Sequence, residues 1–225
     1  MKYTIEGDNL PVVICQCDAG EALVTERGGM SWMSDTFDMS TNMPGGLMKG
    51  IGRMLSGESL FLTTYTARSA GMIAFGSCFP GAIRAVQLAP GESIICQKEA
   101  FMASESSVSL AVHFQRKLGS GFFSGEGFVM QKITGPGLVF LEIDGSACEY
   151  NLAAGEKMIV DTGSLAMCDA TVDIDVQMVK GFKNVLFSGE GLFLTTVTGP
   201  GRIVLQSMPF ADLANRIIAK VPNKS

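Results

Sequence analysis

The stretch LSGESLFLTT at Leu55–Thr64 recurs almost unchanged as FSGEGLFLTT at Phe187–Thr196. A third version, FSGEGFVMQKITGPG, lies between them at Phe123–Gly137. The Ser-Gly-Glu triplets begin at Ser56, Ser124 and Ser188, so they are 68 and 64 residues apart. Each leads into an apolar or alternating run and then a glycine turn, Ser69-Ala70-Gly71 in the first copy and Gly-Pro-Gly at 135–137 and 199–201 in the others. A further strand-like run follows every turn: MIAFGSCF, LVFLEI and RIVLQS. Self-similarity at a period of tens of residues is the mark of a repeated supersecondary unit.

A second signature alternates with the first. It reads CDAGEALV at Cys17–Val24, LAPGESII at Leu88–Ile95 and LAAGEKMI at Leu152–Ile159. Its glycine precedes the glycine of Ser-Gly-Glu by 37, 34 and 34 residues, so the first unit carries an insertion. Gly supplies positive φ in tight turns, and Pro136 and Pro200 sit where no ladder donor is lost. Runs of four to eight Val, Ile, Phe, Leu and Thr residues have the length and type of strands. SVSLAVHFQR (Ser107–Arg116) alternates, which puts Val108, Leu110, Val112 and Phe114 on one face. The expectation is an all-β chain, one compact unit over 1–225, with three tandem β-units whose signatures cover about 10–84, 85–148 and 149–207.

Two stretches depart from this pattern. GGLMKGIGRML (Gly45–Leu55) places Leu47, Met48, Ile51, Met54 and Leu55 at helical spacing. In SMPFADLANRIIAKVP, Ser207 suits a helix N-cap and Pro209 a first turn; Phe210, Leu213, Ile217 and Ile218 form an apolar stripe before Pro222. This predicts a C-terminal helix over about 208–221, lying on the β body.

Of the 225 residues, 47% are hydrophobic, yet no run approaches the roughly 18 apolar residues that a membrane helix needs. The N-terminus, MKYTIEGDNLPVVICQC, reads as a first strand and not as a signal peptide. A net charge of −5 with scattered Lys and Arg argues against nucleic acid as a partner, because phosphate neutralisation needs clustered cations. The six cysteines contain no C-x-x-C, and they read as free buried thiols of a cytoplasmic protein.

The candidate sites are modest. Glu58, Glu126 and Glu190 occupy equivalent places, as do Glu21, Glu92 and Glu156, so threefold symmetry would gather carboxylates able to hold a hard cation. The plainer reading of both sets is a polar residue opening a strand after a turn. His113 is the sole histidine, and no nucleophile or metal constellation forms around it. PGGLMKGIG lacks the lysine of a phosphate loop, and GSGFFSGEG fails the dinucleotide pattern. Met30–Met54 holds six of the fourteen methionines and the single tryptophan. Adaptable methionine surfaces suit partners, so Met30, Trp32, Met33, Leu47, Met48 and Ile51 are the candidate partner-binding residues. With Lys49 and Arg53 alone on the cationic side, membrane contact through this segment would be weak.

GGLMKGIGRMLSGESLFLTTYTA, FPGAIRAVQL and NVLFSGEGLFLTTVTGPGRIVLQS resemble the mitochondrial-biogenesis family named for altered inheritance of mitochondria, over nearly the whole chain. The resemblance implies a fold like the tryptophan RNA-binding attenuation protein (TRAP-like), a short double-stranded β-helix present three times in pseudo-threefold arrangement. It implies no catalytic residue. The RNA-binding role does not carry over, because a lysine-rich rim is missing from the sequence. The functional expectation is a non-catalytic, homo-oligomeric scaffold or protein-interaction module that needs no cofactor. The alternative is a small-ligand or metal-ion binding protein that uses inter-repeat clefts or the symmetry-related glutamates.

Overall fold

A computed structural model describes residues 1–26, 29–42, 62–116, 128–178, 193–218 and 220–221. The described chain is almost entirely β. Its strands are β1 (Lys2–Glu6), β2 (Val12–Cys17), β3 (Ala22–Glu26), β4 (Met30–Met33), β5 (Phe37–Asn42), β6 (Leu62–Ala67) and β7 (Gly71–Gly76). They continue as β8 (Gly81–Leu88), β9 (Ser93–Gln97), β10 (Phe101–Glu105), β11 (Ser109–Arg116), β12 (Phe128–Thr134) and β13 (Gly137–Asp144). The last are β14 (Ala147–Leu152), β15 (Lys157–Asp161), β16 (Leu165–Asp169), β17 (Asp173–Met178), β18 (Phe193–Thr198) and β19 (Gly201–Gln206), before helix α1 (Phe210–Ile218).

They form four antiparallel sheets: β1-β2-β7-β4 (sheet I), β5-β6-β3-β10-β13-β8 (sheet II), β11-β12-β9-β16-β19-β14 (sheet III) and β15-β18-β17 (sheet IV). One pairing rule runs through β2–β7, β8–β13 and β14–β19. Within each set the first and third strands pair with the sixth. The second and fourth pair with the fifth. Sets are joined because the third strand of one pairs with the second strand of the set before it, as β10 with β3 and β16 with β9.

Three cores lie between successive sheets. The first unites Val13, Cys15, Ile73 and Phe75 of sheet I with Leu23, Tyr65 and Phe140 of sheet II. The second joins Leu88, Val139 and Leu141 of sheet II to Ile94, Cys96 and Val204 of sheet III. The third joins Ile95, Met130 and Ile203 of sheet III to Val160, Val176 and Val197 of sheet IV. Sheets II and III are therefore covered on both faces, which is why LVFL at Leu138–Leu141 of β13 is continuously apolar where a half-exposed strand would alternate. β2, with a core on one side, alternates instead.

The second sequence signature is a turn. In Asp18–Glu21, Ala89–Glu92 and Ala153–Glu156 the fourth N–H donates to the first carbonyl at 3.1, 3.0 and 3.0 Å. The third residue is glycine with φ of 88°, 80° and 76°, the left-handed conformation a type II turn demands there.

The C-terminal helix departs from expectation. Ser207 does not cap it: its Oγ accepts from Ser146 N–H, and the Phe210 N–H is taken by Asp144 Oδ2 at 2.9 Å. The Phe210 ring packs on Phe79, with centroids 4.5 Å apart. Beyond this anchored first turn none of the helix residues is fully buried, and Leu213, Ala214 and Asn215 are half-buried. Ile217 is 57% exposed.

Candidate functional site

Of the candidate partner-binding residues, Met30, Trp32 and Met33 fall on β4. Leu47, Met48 and Ile51 lie outside the described residues, as does the helix read over Gly45–Leu55. Glu58, Glu126 and Glu190 lie outside them too.

The second glutamate set is described, and its role is local. Glu21 Oε2 accepts from Asp18 N–H at 2.8 Å, Glu92 Oε2 from Ala89 N–H at 2.8 Å, and Glu156 Oε2 from Ala153 N–H at 2.7 Å. Each carboxylate thus closes its own turn, in agreement with the plainer reading of the set. Glu21 also receives the N-terminal ammonium of Met1 at 2.5 Å, and this bond holds its carboxyl below the usual range and the amine above its own.

A third equivalent arrangement went unread in the sequence. The N–H of Met72, Leu138 and Arg202, each the second residue of its set's sixth strand, donates to Ser34 Oγ, Glu105 Oε2 and Asp169 Oδ2 at 3.0, 2.8 and 2.8 Å. Ser34, Glu105 and Asp169 stand at or just after the end of the third strand. Residues 33–38 apart in sequence are brought together only by pairing of the third strand with the sixth. The faint signal was a polar residue four places after each of the bulky apolar residues Met30, Phe101 and Leu165.

Three further carboxylates also hold backbone donors. Glu142 Oε1 accepts from Cys78 N–H at 2.8 Å, Asp144 takes the helix start, and Asp161 Oδ1 accepts from Gly163 N–H at 3.0 Å. Burial pushes all three carboxyls up, against the opposing pull of these backbone donors. Among the described residues, no three His, Cys, Asp or Glu side chains are grouped to share a cation. His113 is exposed beside Phe114.

The cysteines are free, but only Cys15, Cys17, Cys96 and Cys168 are buried; Cys78 and Cys148 are exposed, which corrects the expectation for those two. Desolvation pushes the Cys15 and Cys168 thiols up to about 12 and Cys17 to about 11, so these sulfurs stay protonated and unreactive near neutrality.

What remains is the pair of strands that end the stack. β10 and β16 have partners on both sides, whereas among the described residues β4 pairs with β7 alone. β3 and β9 are likewise flanked, whereas β15 pairs with β18 alone. Their side chains follow suit. Trp32 is 46% exposed where the equivalent Ala103 and Met167 are 0% and 2%, and Ile159 is 67% exposed where the equivalent Ile95 is 2%.

Comparison with known proteins agrees with the family resemblance read in the sequence. Residues 3–208 match the family described as mitochondrial biogenesis AIM24, and the chain belongs to that family. It is 27% identical over 234 residues to the uncharacterized protein M6_Spy0233 of Streptococcus pyogenes serotype M6, an alignment covering 100% of this chain and 93% of that one. It is also similar to the X-ray crystal structure of protein SPYM3_0169 from Streptococcus pyogenes, with a TM-score of 0.80 and 24% identity over 98% of this chain and 99% of the other. That likeness establishes the fold. Among the described residues no helix is long and apolar enough to cross a membrane.

Proposed function

We propose that the chain is a non-catalytic scaffold or protein-interaction module that works by self-association in the cytoplasm. The observation that carries this reading is the employment of its acidic side chains. Glu21, Glu92, Glu105, Glu142, Asp144, Glu156, Asp161 and Asp169 each accept a backbone N–H. A carboxylate held this way is committed to a turn or a strand end. A general acid or base needs one free to meet substrate. The buried thiols are protonated and so poor nucleophiles. Apolar surface, by contrast, is exposed at β4, at β15 and along α1, where Ile217 and Ile218 face solvent. Such surface marks sites of association more often than sites of chemistry.

Native mass spectrometry of the protein purified without chelator tests the proposal. A defined multiple of the chain mass with nothing added is the expected result. A stoichiometric extra mass that disappears in a Glu58→Gln, Glu126→Gln, Glu190→Gln variant would replace the scaffold reading with cation or small-ligand binding. Turnover abolished by one polar substitution would overturn it outright.

A further inference from the structure

We infer that copies of the chain associate head to tail, β4 of one copy pairing antiparallel with β15 of the next; the inference rests on the self-association reading above and specifies its interface.

The chain already makes this junction twice. β10 pairs with β3 through Ala103↔Thr25, Ser104↔Val24 and Glu105↔Leu23, and β16 pairs with β9 through Met167↔Cys96, Cys168↔Ile95 and Asp169↔Ile94. In each case a third strand meets the second strand of the preceding set. Among the described residues, β4 is a third strand with no second strand of another set beside it, and β15 is a second strand with no third strand of another set beside it. Each is half of the same junction, and sheets II and III lie between them in the stack. A second copy can supply what the chain's own fold holds apart. Joining sheet IV of one copy to sheet I of the next gives the order β17-β18-β15-β4-β7-β2, the strand order of sheets II and III, with β1 added at the end.

The register follows from strand equivalence. Trp32 pairs with Ala74 as Ala103 pairs with Phe140 and Met167 with Val204, so Trp32 takes the place of Ala103 and Met167. Val160 pairs with Thr195 as Cys96 pairs with Gln131, so it takes the place of Cys96. The interface is therefore Trp32↔Val160, Met33↔Ile159 and Ser34↔Met158. Side chains opposite each other in a ladder share a face. Met33 already packs against the first core, so Ile159 of the neighbour would extend that core. Val160 belongs to the third core, so Trp32 would be drawn toward that of its neighbour. One step further along, Asp35 stands opposite Lys157, an exposed acid facing an exposed base.

Two lysine substitutions and their mixture test the arrangement. Trp32→Lys blocks one end and Ile159→Lys the other, each at an exposed position that leaves the fold intact. Each variant alone should fall to a single-chain mass in native mass spectrometry and size-exclusion light scattering. Mixed, they should give a 1:1 dimer, because the first keeps a free β15 and the second a free β4. A mixture that stays monomeric, or single variants that assemble as the wild type does, overturns this interface; the latter result leaves self-association standing with its surface elsewhere. A wild type that never exceeds one chain mass takes down self-association itself. A Met33→Cys, Ile159→Cys double variant treated with an oxidant should give a ladder of cross-linked chains that neither single variant gives. A disulfide formed within one chain would place β15 against its own β4 and also overturn the inference.

Discussion

The inner junctions and the terminal strands are built to one plan and end in opposite states. β10 sits between β13 and β3, sheathed on both faces, while among the described residues β4 has one strand neighbour and leaves Trp32 half in solvent. Both segments are short, apolar and followed by a polar residue that ties down the sixth strand. Local sequence does not separate them. A strand is an edge or a centre according to whether a complementary set exists on its far side, which depends on its position in the series of sets.

This contrast is sharpest in the cost of truncation. Phe140 is fully buried at the core between sheets I and II, so Phe140→Ala should destabilise the fold by about 3–5 kcal/mol in urea denaturation. Trp32→Ala should change the stability of the isolated chain by less than about 1 kcal/mol while weakening assembly. Equal losses for the two would break the comparison.

A middle-sized effect should attend the strand-end acceptors. Glu105→Ala strands the Leu138 N–H in the interior stack, and an unmade bond of this kind costs about 1–3 kcal/mol. The equivalent Ser34→Ala at the outer sheet, where the bond is solvent-exposed, should cost about 1 kcal/mol or less by the same measurement. A reversed order would mean that the two ends of the stack are not the weaker ones.

A smaller effect is expected with pH. Burial raises the Glu142, Asp144 and Asp161 carboxyls, so the folded chain binds their protons more readily than the unfolded chain does. Ionising them opposes folding, and their contribution grows as pH falls from neutrality through their raised folded values toward the ordinary range near about 4. Glu21 has the opposite sign: its carboxyl is lowered, so its stabilisation is full above the ordinary carboxylate value and is lost as pH falls through the lowered one. Thermal melts of Asp144→Asn, which keeps the acceptor for Phe210 N–H, should therefore show a smaller gain from pH 7 to pH 5 than the wild type. An unchanged slope would remove Asp144 from the account.

The thiols give the smallest signal and the simplest measurement. Under native conditions a maleimide should label Cys78 and Cys148 and spare the four buried cysteines until the chain is unfolded. Rapid native labelling of Cys15 would show that the first core opens more readily than the inner ones.

Much of this architecture could be read directly. Glycine-glutamate turns, apolar runs of strand length and their spacing are local features, and each is dictated by a few neighbouring residues: positive φ at Gly20, Gly91 and Gly155 and a carboxylate one place on. All-β class and a helix after Pro209 follow from such features. The sites were less legible. The glutamates at 21, 92 and 156 were seen as a set, but that each bonds its own turn depends on rotamers that spacing does not specify.

Tertiary structure alone decided the rest. The helix stripe Phe210, Leu213, Ile217 and Ile218 was plain in the sequence, yet how much of it is covered depends on what surface stands beside it: Phe210 found Phe79, its N–H found Asp144, and Ile217 and Ile218 stay exposed. The same holds for β4 and β15. Hydrophobic pattern tells a strand which face to bury, but a hydrogen-bonding edge is identical backbone in every strand, and its partner is chosen by how the sets stack in space. The sequence by itself determined the repeating turns, the strand lengths and the helix; which strands were left without a second neighbour was settled by the long-range pairing of the sets.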